Sequence, residues 1–330
     1  MNVLGAFKRL PAIAWIAGLV VAASAGTARA QDAAKDWPNK PVKIVANYGV
    51  GGSADNTMRP YAERLAKALG QQFVVEFRGG ASGTIGLEAV MKSPPDGYTF
   101  AITPSLSLMI VPHLRKTAYH SINDFKPVSM LTTATVLFAV HPTVPANTLQ
   151  EAVAYIKQNP AKIGWGTAGI GSLSHIMLEV MNREAGIEIL HVPYRGAGES
   201  IVDFLSGVIQ IHSDPNTFPH IAQGKGKLLA VIDRQRHPDY PNVPVLKEVF
   251  PNLDFVGWFG LFAPQGTPDA IVNKLAAEIA KIAKDPEVET IHRKFALSPV
   301  ATTPAGLAEA LKNDYDRFGK IIKDFGIKAE

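Results

Sequence analysis

Three short stretches set glycines and hydroxyl side chains just ahead of an amphipathic run. They are Gly49-Val-Gly-Gly-Ser-Ala-Asp55, Gly79-Gly-Ala-Ser-Gly-Thr-Ile-Gly86 and Gly166-Thr-Ala-Gly-Ile-Gly-Ser-Leu-Ser-His175. Each follows an apolar, β-rich run. A glycine loop that opens a helix lets backbone N–H groups approach a ligand with no Cβ in the way. The first turn of a helix leaves its N–H groups unbonded and carries the positive end of the helix dipole. Such a place suits an anion, and a carboxylate in particular. Charge-assisted hydrogen bonds from amides and hydroxyls then hold the charge without a buried arginine to desolvate. Three such loops in separate units predict several helix N-termini aimed at one cleft. Asp55 is unexpected in an anion site. It either favours the helix N-terminus through the dipole or accepts from a loop N–H or from a ligand hydroxyl or amine.

Other chemistries fit these residues less well. Gly169-x-Gly171-x-x-Ser174 lacks the third glycine of a dinucleotide fingerprint, and the next strand ends in His191-Val192 with no acid for a ribose. Gly224-Lys225-Gly226 lacks the hydroxyl of a phosphate-binding loop. Ser172, Ser174, His175 and Asp214 can be drawn as a hydrolytic triad. Yet Ser174 and His175 are chain neighbours, which diverge on a helix, and Ser172 reads as the cap of the helix it opens. No G-x-S-x-G elbow is present. The chain has no cysteine, and its nine histidines show no H-x-x-x-H spacing, so neither disulfides nor a thiolate metal site are expected, and no cofactor.

The elements that must position these loops follow from pattern. The chain has 330 residues, a length for two domains, with a net charge of +4 and no long basic run. That balance gives no footprint for nucleic acid. Lys8 and Arg9, the apolar run Leu10 to Ala23, and Ala28-Arg29-Ala30 read as an export leader occupying residues 1–30, with Ser24-Ala25-Gly26 as an alternative cleavage site. The apolar run is shorter than the roughly 20 residues of a spanning helix. The mature chain is expected to begin at Gln31 and, with no cysteine to carry lipid, to be free in the periplasm. Beyond Pro41, strands are predicted at 42–46, 73–77, 98–103, 136–141, 163–167, 187–192, 210–213 and 227–232. Helices are predicted at 58–69, 84–92, 149–158, 173–184, 200–205, 270–283 and 304–325. Their alternation argues for α/β architecture. Pro60 requires either that Thr57 caps the first helix or that the helix kinks.

Ordered motifs along the mature chain resemble the periplasmic solute-binding proteins of tripartite tricarboxylate transporters, the Bug proteins. They include Pro38-x-Lys-Pro-Val42, Gly51-Gly-Ser-Ala-Asp55, Gly83-Thr-Ile-Gly86, Pro95-Asp-Gly-Tyr-Thr99 and Asp124-Phe-x-Pro-Val128. Gly169-x-Gly-Ser-x-x-His175, His191-Val-Pro-Tyr-Arg-Gly196 and Trp258-Phe-Gly-Leu-Phe-Ala-Pro-x-Gly-Thr-Pro268 continue the series. The resemblance implies a two-lobed Venus-flytrap fold with a mixed, mostly parallel sheet in each lobe. It places residues 31–130 and 253–330 in one lobe and 131–252 in the other. It also implies a small carboxylate ligand, membrane permease subunits as partners, a monomer, and no enzymatic activity. The ligand residues it implies are Tyr48, Gly51, Gly52, Ser53, Asp55, Ser82, Gly83, Thr84 and Ser105 on one side. Thr167, Ala168, Ser172, His175 and Asp214 face them, and Arg195 is placed at the rim. A sensor-kinase output of the same fold and a hydrolase using His175 are the competing expectations. Two departures mark a retuned pocket. Ala46-Asn-Tyr-Gly-Val50 stands where a proline-bearing run is usual, and the strand before Asp214 is unusually polar, with Gln210, His212 and Ser213. A dicarboxylate is expected, its carbon frame, aliphatic or aromatic, left open.

Overall fold

The computed structural model describes residues 35–328 except residues 196, 234, 235 and 238; the predicted leader lies outside that span. In chain order the elements are β1 (Val42–Ala46), α1 (Ser53–Leu69), β2 (Phe73–Phe77), α2 (Thr84–Met91), β3 (Thr99–Pro104), α3 (Leu106–Met109), α4 (Val111–Leu114) and β4 (Phe125–Ala134). Then come β5 (Val136–Val140), α5 (Leu149–Gln158), β6 (Gly164–Thr167), α6 (Leu173–Ala185), β7 (Leu190–Pro193), α7 (Ala197–Leu205), β8 (Ile211–His212), α8 (Phe218–Ala222) and β9 (Lys227–Ile232). The chain closes with β10 (Gly257–Pro264), α9 (Asp269–Ile282), α10 (Pro286–Arg293), β11 (Leu297–Pro299) and α11 (Pro304–Asp324).

Two mixed sheets result, in the orders β11-β4-β10-β3-β1-β2 and β7-β6-β8-β5-β9. In the first, β1 lies parallel between β2 and β3, and β10 runs antiparallel to both β3 and β4. In the second, β6 lies parallel to β7 and β8, whereas β5 is antiparallel to β8 and β9. The parallel share is therefore smaller than the sequence pattern implies. In the first sheet the difference comes from β4, β10 and β11, which carry prolines or glycines where a strand would be read as broken; in the second it comes from β5, which runs against both its neighbours. Pro127 in β4 sits opposite Phe262 at a register shift, where the missing N–H is tolerated.

Each sheet has its own core. Trp37, Tyr61, Phe100 and Ile44 are buried around the first, and Trp165, Phe138, Ile176 and Met177 around the second. The terminal helix α11 joins them. Its Leu307 and Leu311 pack with Trp258, and its Phe318 and Ile321 with the second core. The parallel strands point their carboxyl ends at a common cleft. β1 and β3 deliver residues 47–52 and 105 there, and β6 and β8 deliver 168–172 and 213–214. Ligands of open α/β sheets lie outside such ends.

Helix α1 begins at Ser53 with Gly52 at its N-cap, five residues earlier than the apolar periodicity predicts. Thr57 is thus not the cap; its hydroxyl lies 3.2 Å from that of Thr132. Pro60 sits inside the helix, where its ring removes one helical N–H. The carbonyl left without its helical donor is that of Asn56; next to it the buried His292 donates from Nε2–H to Thr57 O at 3.1 Å.

Candidate functional site

The first glycine loop leaves β1 at Asn47, a fully buried amide. Asn47 Nδ2 donates to Thr103 Oγ1 at 2.9 Å, Gly83 O at 3.2 Å and Ser107 Oγ at 3.3 Å. One side chain thereby ties three loops of the first sheet together. Gly51 takes φ +76°, and its N–H donates to Asp55 Oδ2 at 3.0 Å. Arg59 donates to both carboxylate oxygens of Asp55 at 2.8 Å. Asp55 thus shapes the loop, with its charge matched by an arginine one turn on. It leaves the first-turn amides of α1 facing the cleft. Tyr48 stands beside them, its hydroxyl 3.4 Å from Ser107 Oγ, and burial pushes it up to about 12.

The third glycine loop leaves β6 in the same manner. Gly169 and Gly171 take φ +102° and +78°. Ser172 caps α6, accepting from His175 N–H at 3.3 Å, and lies 3.0 Å from Ser174 Oγ. His175 is buried; its Nδ1 accepts from Gly171 N–H at 3.2 Å, which puts the proton on Nε2, 3.9 Å from Glu179. The ring stacks on His191 with centroids 4.5 Å apart, and Thr167 Oγ1 lies 2.7 Å from His191 Nε2. Burial, with His191 adding to it, pushes His175 down to about 4.

These bonds dispose of the drawn triad. Asp214 accepts from Ser53 Oγ at 3.0 Å and from Asn216 N–H at 2.9 Å, and the nitrogen of His175 that a serine would need already accepts from the backbone. A second serine–histidine pair exists that the sequence did not suggest. Ser200 Oγ lies 2.8 Å from His212 Nε2, and His212 Nδ1 lies 2.5 Å from Thr217 Oγ1. The third member is a hydroxyl and not a carboxylate, so nothing there would stabilise an imidazolium. Burial, reinforced by His220, pushes His212 down to about 3, too weak a base to activate a serine near neutral pH.

The two sheets enclose a cavity in two joined chambers. The outer measures ≈ 430 Å³ and includes Tyr48, Gly49, Gly52, Ser53, Ala54, Arg195 and Glu199. The inner measures ≈ 80 Å³ and includes Ser105, Ser172, Ser174, Ser200, His212, Ser213 and Trp258. Pro104, Leu106, Ala168, Asp214 and Phe259 line both. Of the residues named from sequence, Tyr48, Gly52, Ser53, Ser105, Ala168, Ser172 and Asp214 line this cavity. Arg195, exposed, lines it too.

Gly51, Asp55, Ser82, Gly83, Thr84, Thr167 and His175 do not line either chamber. The second glycine loop turns outward instead. Ala81 and Ser82 both take positive φ, and Gly83 at φ +86° packs on Asn47 so closely that a Cβ would lie 2.4 Å from Nδ2. Thr84 Oγ1 donates to Ala81 O at 3.1 Å. Ser82 Oγ reaches across to Ile170 O at 2.6 Å, so this loop bridges the two sheets. Ser53–Asp214, Asn56–Asn216 at 3.0 Å and Asn216 Nδ2–Gly51 O at 3.3 Å bridge them on the other side. Ser200 and Phe259 were missed, whereas Ser174 lies within the third glycine loop; the polar strand before Asp214 was a further sequence signal for this inner wall.

Among the described residues no cluster of three or more His, Cys, Asp or Glu could hold a metal ion. Likewise no helix among them is long and apolar enough to cross a membrane.

Residues 57–327 match the family model described as Tripartite tricarboxylate transporter family receptor. A UPF0065 protein of Bordetella pertussis is 30% identical over 328 residues, covering 98% of this chain and 99% of that protein. A solved structure from R. palustris with adipate aligns at TM-score 0.84 and 29% identity, over 88% of this chain and 99% of its own. MatC from Rhodopseudomonas palustris, with bound malate, aligns at TM-score 0.81 and 28% identity, over 87% of this chain and 100% of its own. The match runs from the first helix to the end of the last, and the chain belongs to the tripartite tricarboxylate transporter receptor family, whose members are periplasmic solute-binding proteins and not enzymes.

Proposed function

We propose that this protein is a periplasmic receptor that captures a small dicarboxylate in the cavity between its sheets and delivers it to the permease subunits of a tripartite transporter. One observation carries the reading. The N-termini of two long helices, α1 from one sheet and α6 from the other, open onto a single cavity through Gly52-Ser53-Ala54 and Ser172-Leu173-Ser174. Two separated anion-favouring ends suit a ligand with two carboxylates, one at each end. Arg195 at the outer chamber adds the one cationic side chain lining the cavity among the described residues. The adipate and malate held by two structural neighbours are of this class.

Lobes of residues 31–130 with 253–330, and of 131–252, close on the ligand about the strands that link the two sheets. The permease would then distinguish the closed form, whose population the ligand raises by its differential affinity. A thermal-shift screen over mono-, di- and tricarboxylates, followed by titration calorimetry, tests the reading. Binding to the folded state raises its stability by RT ln(1 + [L]/Kd). A panel in which no dicarboxylate shifts the melting temperature at millimolar concentration would refute it.

A further inference from the structure

The acid in the middle of this cavity is at odds with a plain dicarboxylate. Asp214 lines both chambers, so a ligand spanning them passes it. Its Oδ1 already accepts from Ser53 Oγ at 3.0 Å and from Asn216 N–H at 2.9 Å. Among the described residues no donor bonds Oδ2. The inner chamber has no lysine or arginine in its wall, and His212 there stays neutral because both ring nitrogens lie against hydroxyls in a buried place. Arg195 and Glu199 in the outer chamber offset one another in charge. Asp214 is half-buried with Oδ2 open to the cavity, so a ligand that displaces solvent from this oxygen costs free energy unless it brings a donor of its own.

We propose, on the basis of the receptor reading above, that Asp214 Oδ2 selects carboxylates that carry a hydroxyl or ammonium donor between their ends. The two neighbours do not settle the matter, since adipate has no such donor and malate has one. Burial also disfavours the charged form of Asp214, as expected of a carboxylate awaiting a further hydrogen bond. A site built to bond a polar group discriminates strongly against the analogue that lacks it, because its own buried group is then left unpaired.

The test is calorimetry on matched series: succinate, malate and aspartate, then glutarate, 2-hydroxyglutarate and glutamate. Wild type is expected to bind the donor-bearing members about ten- to a hundredfold more tightly than the plain diacid of equal length, the worth of one hydrogen bond to a charged group. The hydroxy and amino arms tell which donor is read. In Asp214→Asn, Oδ1 still accepts from Ser53 while an amide N–H₂ faces the cavity, so the preference should vanish or reverse. If dicarboxylates bind wild type but the plain diacids bind as tightly as their substituted partners, this inference falls and the receptor reading stands. If no member of either series binds, this inference falls, and the receptor reading falls with it only if the wider dicarboxylate panel is silent as well. Should the variant fail to fold, the wild-type series decides alone.

Discussion

Asn47 offers the sharpest test of how the cavity is held together. It is fully buried at the junction of three loops. Asn47→Ala removes the donor of bonds to Thr103 Oγ1, Gly83 O and Ser107 Oγ. Two N–H groups are lost, worth about 1 kcal/mol each net. Stranding the Gly83 carbonyl and a hydroxyl in a dry place costs about 1 kcal/mol apiece at the low end. Against this, wild type already buries Asn47 Oδ1 without a partner, and its removal recovers about 1 kcal/mol. The net expectation is a loss of about 3 kcal/mol, readable as a lower midpoint in urea unfolding followed by circular dichroism, with the slope unchanged. Asn47→Asp, nearly the same shape, should cost more at pH 7, where it sets a carboxylate against the Gly83 carbonyl. It should recover partly on acidification, as its pKa must rise. Ligand affinity should fall too, since Tyr48 and Gly52 hang from this junction. If Asn47→Ala loses less than about 0.5 kcal/mol, the three-loop tie is not a stabilising element and the reasoning fails.

Thr84→Val should leave ligand affinity within about twofold of wild type, because its hydroxyl bonds Ala81 O and not the cavity. Gly52→Val, whose Cβ would meet Gly49 O at 3.3 Å beside the helix opening, should weaken binding about tenfold or more. Calorimetry showing the opposite order would overturn the placement of the anion. His175, with a folded pKa of about 4 against the ordinary 6.5, contributes its full stability above pH 6.5 and loses it as pH falls toward 4, since the unfolded state binds the proton the folded state refuses. The stability gap between wild type and His175→Asn should therefore shrink by about 2 kcal/mol between pH 7 and 4.5; parallel pH curves would show that His175 is not held neutral. Small-angle scattering should show a smaller radius of gyration on adding a saturating ligand, and an unchanged radius would count against lobe closure as the signal.

The sequence made legible what repeats a simple period. β1, β2, β9 and α5 fall on the predicted residues, for each is a clean apolar run or a capped amphipathic helix. β4 and β10 were not legible. Phe-Lys-Pro-Val-Ser and Gly-Trp-Phe-Gly read as breakers in isolation, yet β10 is buried along its whole length because strands pair both its edges and its alternate side chains enter a core on each face. In the site, the pattern of glycine before a helix located α1 and α6. The same pattern misled at Gly83-Thr84, because composition does not say which way a loop turns. The left-handed φ of Ala81 and Ser82, two non-glycine residues, sends that loop toward Ile170. Asp55 was legible as a helix-start acid but not as the partner of Arg59, four residues on.

The bridging contacts and the ligand wall share atoms, and this links affinity to closure. Ser53 Oγ donates to Asp214 Oδ1 from the opposite sheet, and both residues line the outer chamber. A hydroxyl bonded to a charged acceptor is worth about 1.5–3 kcal/mol, so this one contact favours the closed arrangement by a sizeable factor. A ligand that drew the Ser53 hydroxyl to its own carboxylate would forfeit that bond and gain only a like one, leaving the balance between open and closed little changed. A ligand that instead offers Asp214 a donor at Oδ2 keeps the Ser53 bond and adds to it. Any ligand that spans both helix openings gains affinity specific to the closed form, and the second kind does so without giving up the Ser53–Asp214 bond; only such differential affinity shifts the equilibrium. On the receptor reading, then, Asp214 would serve closure through Oδ1 and selection of a donor-bearing carboxylate through Oδ2.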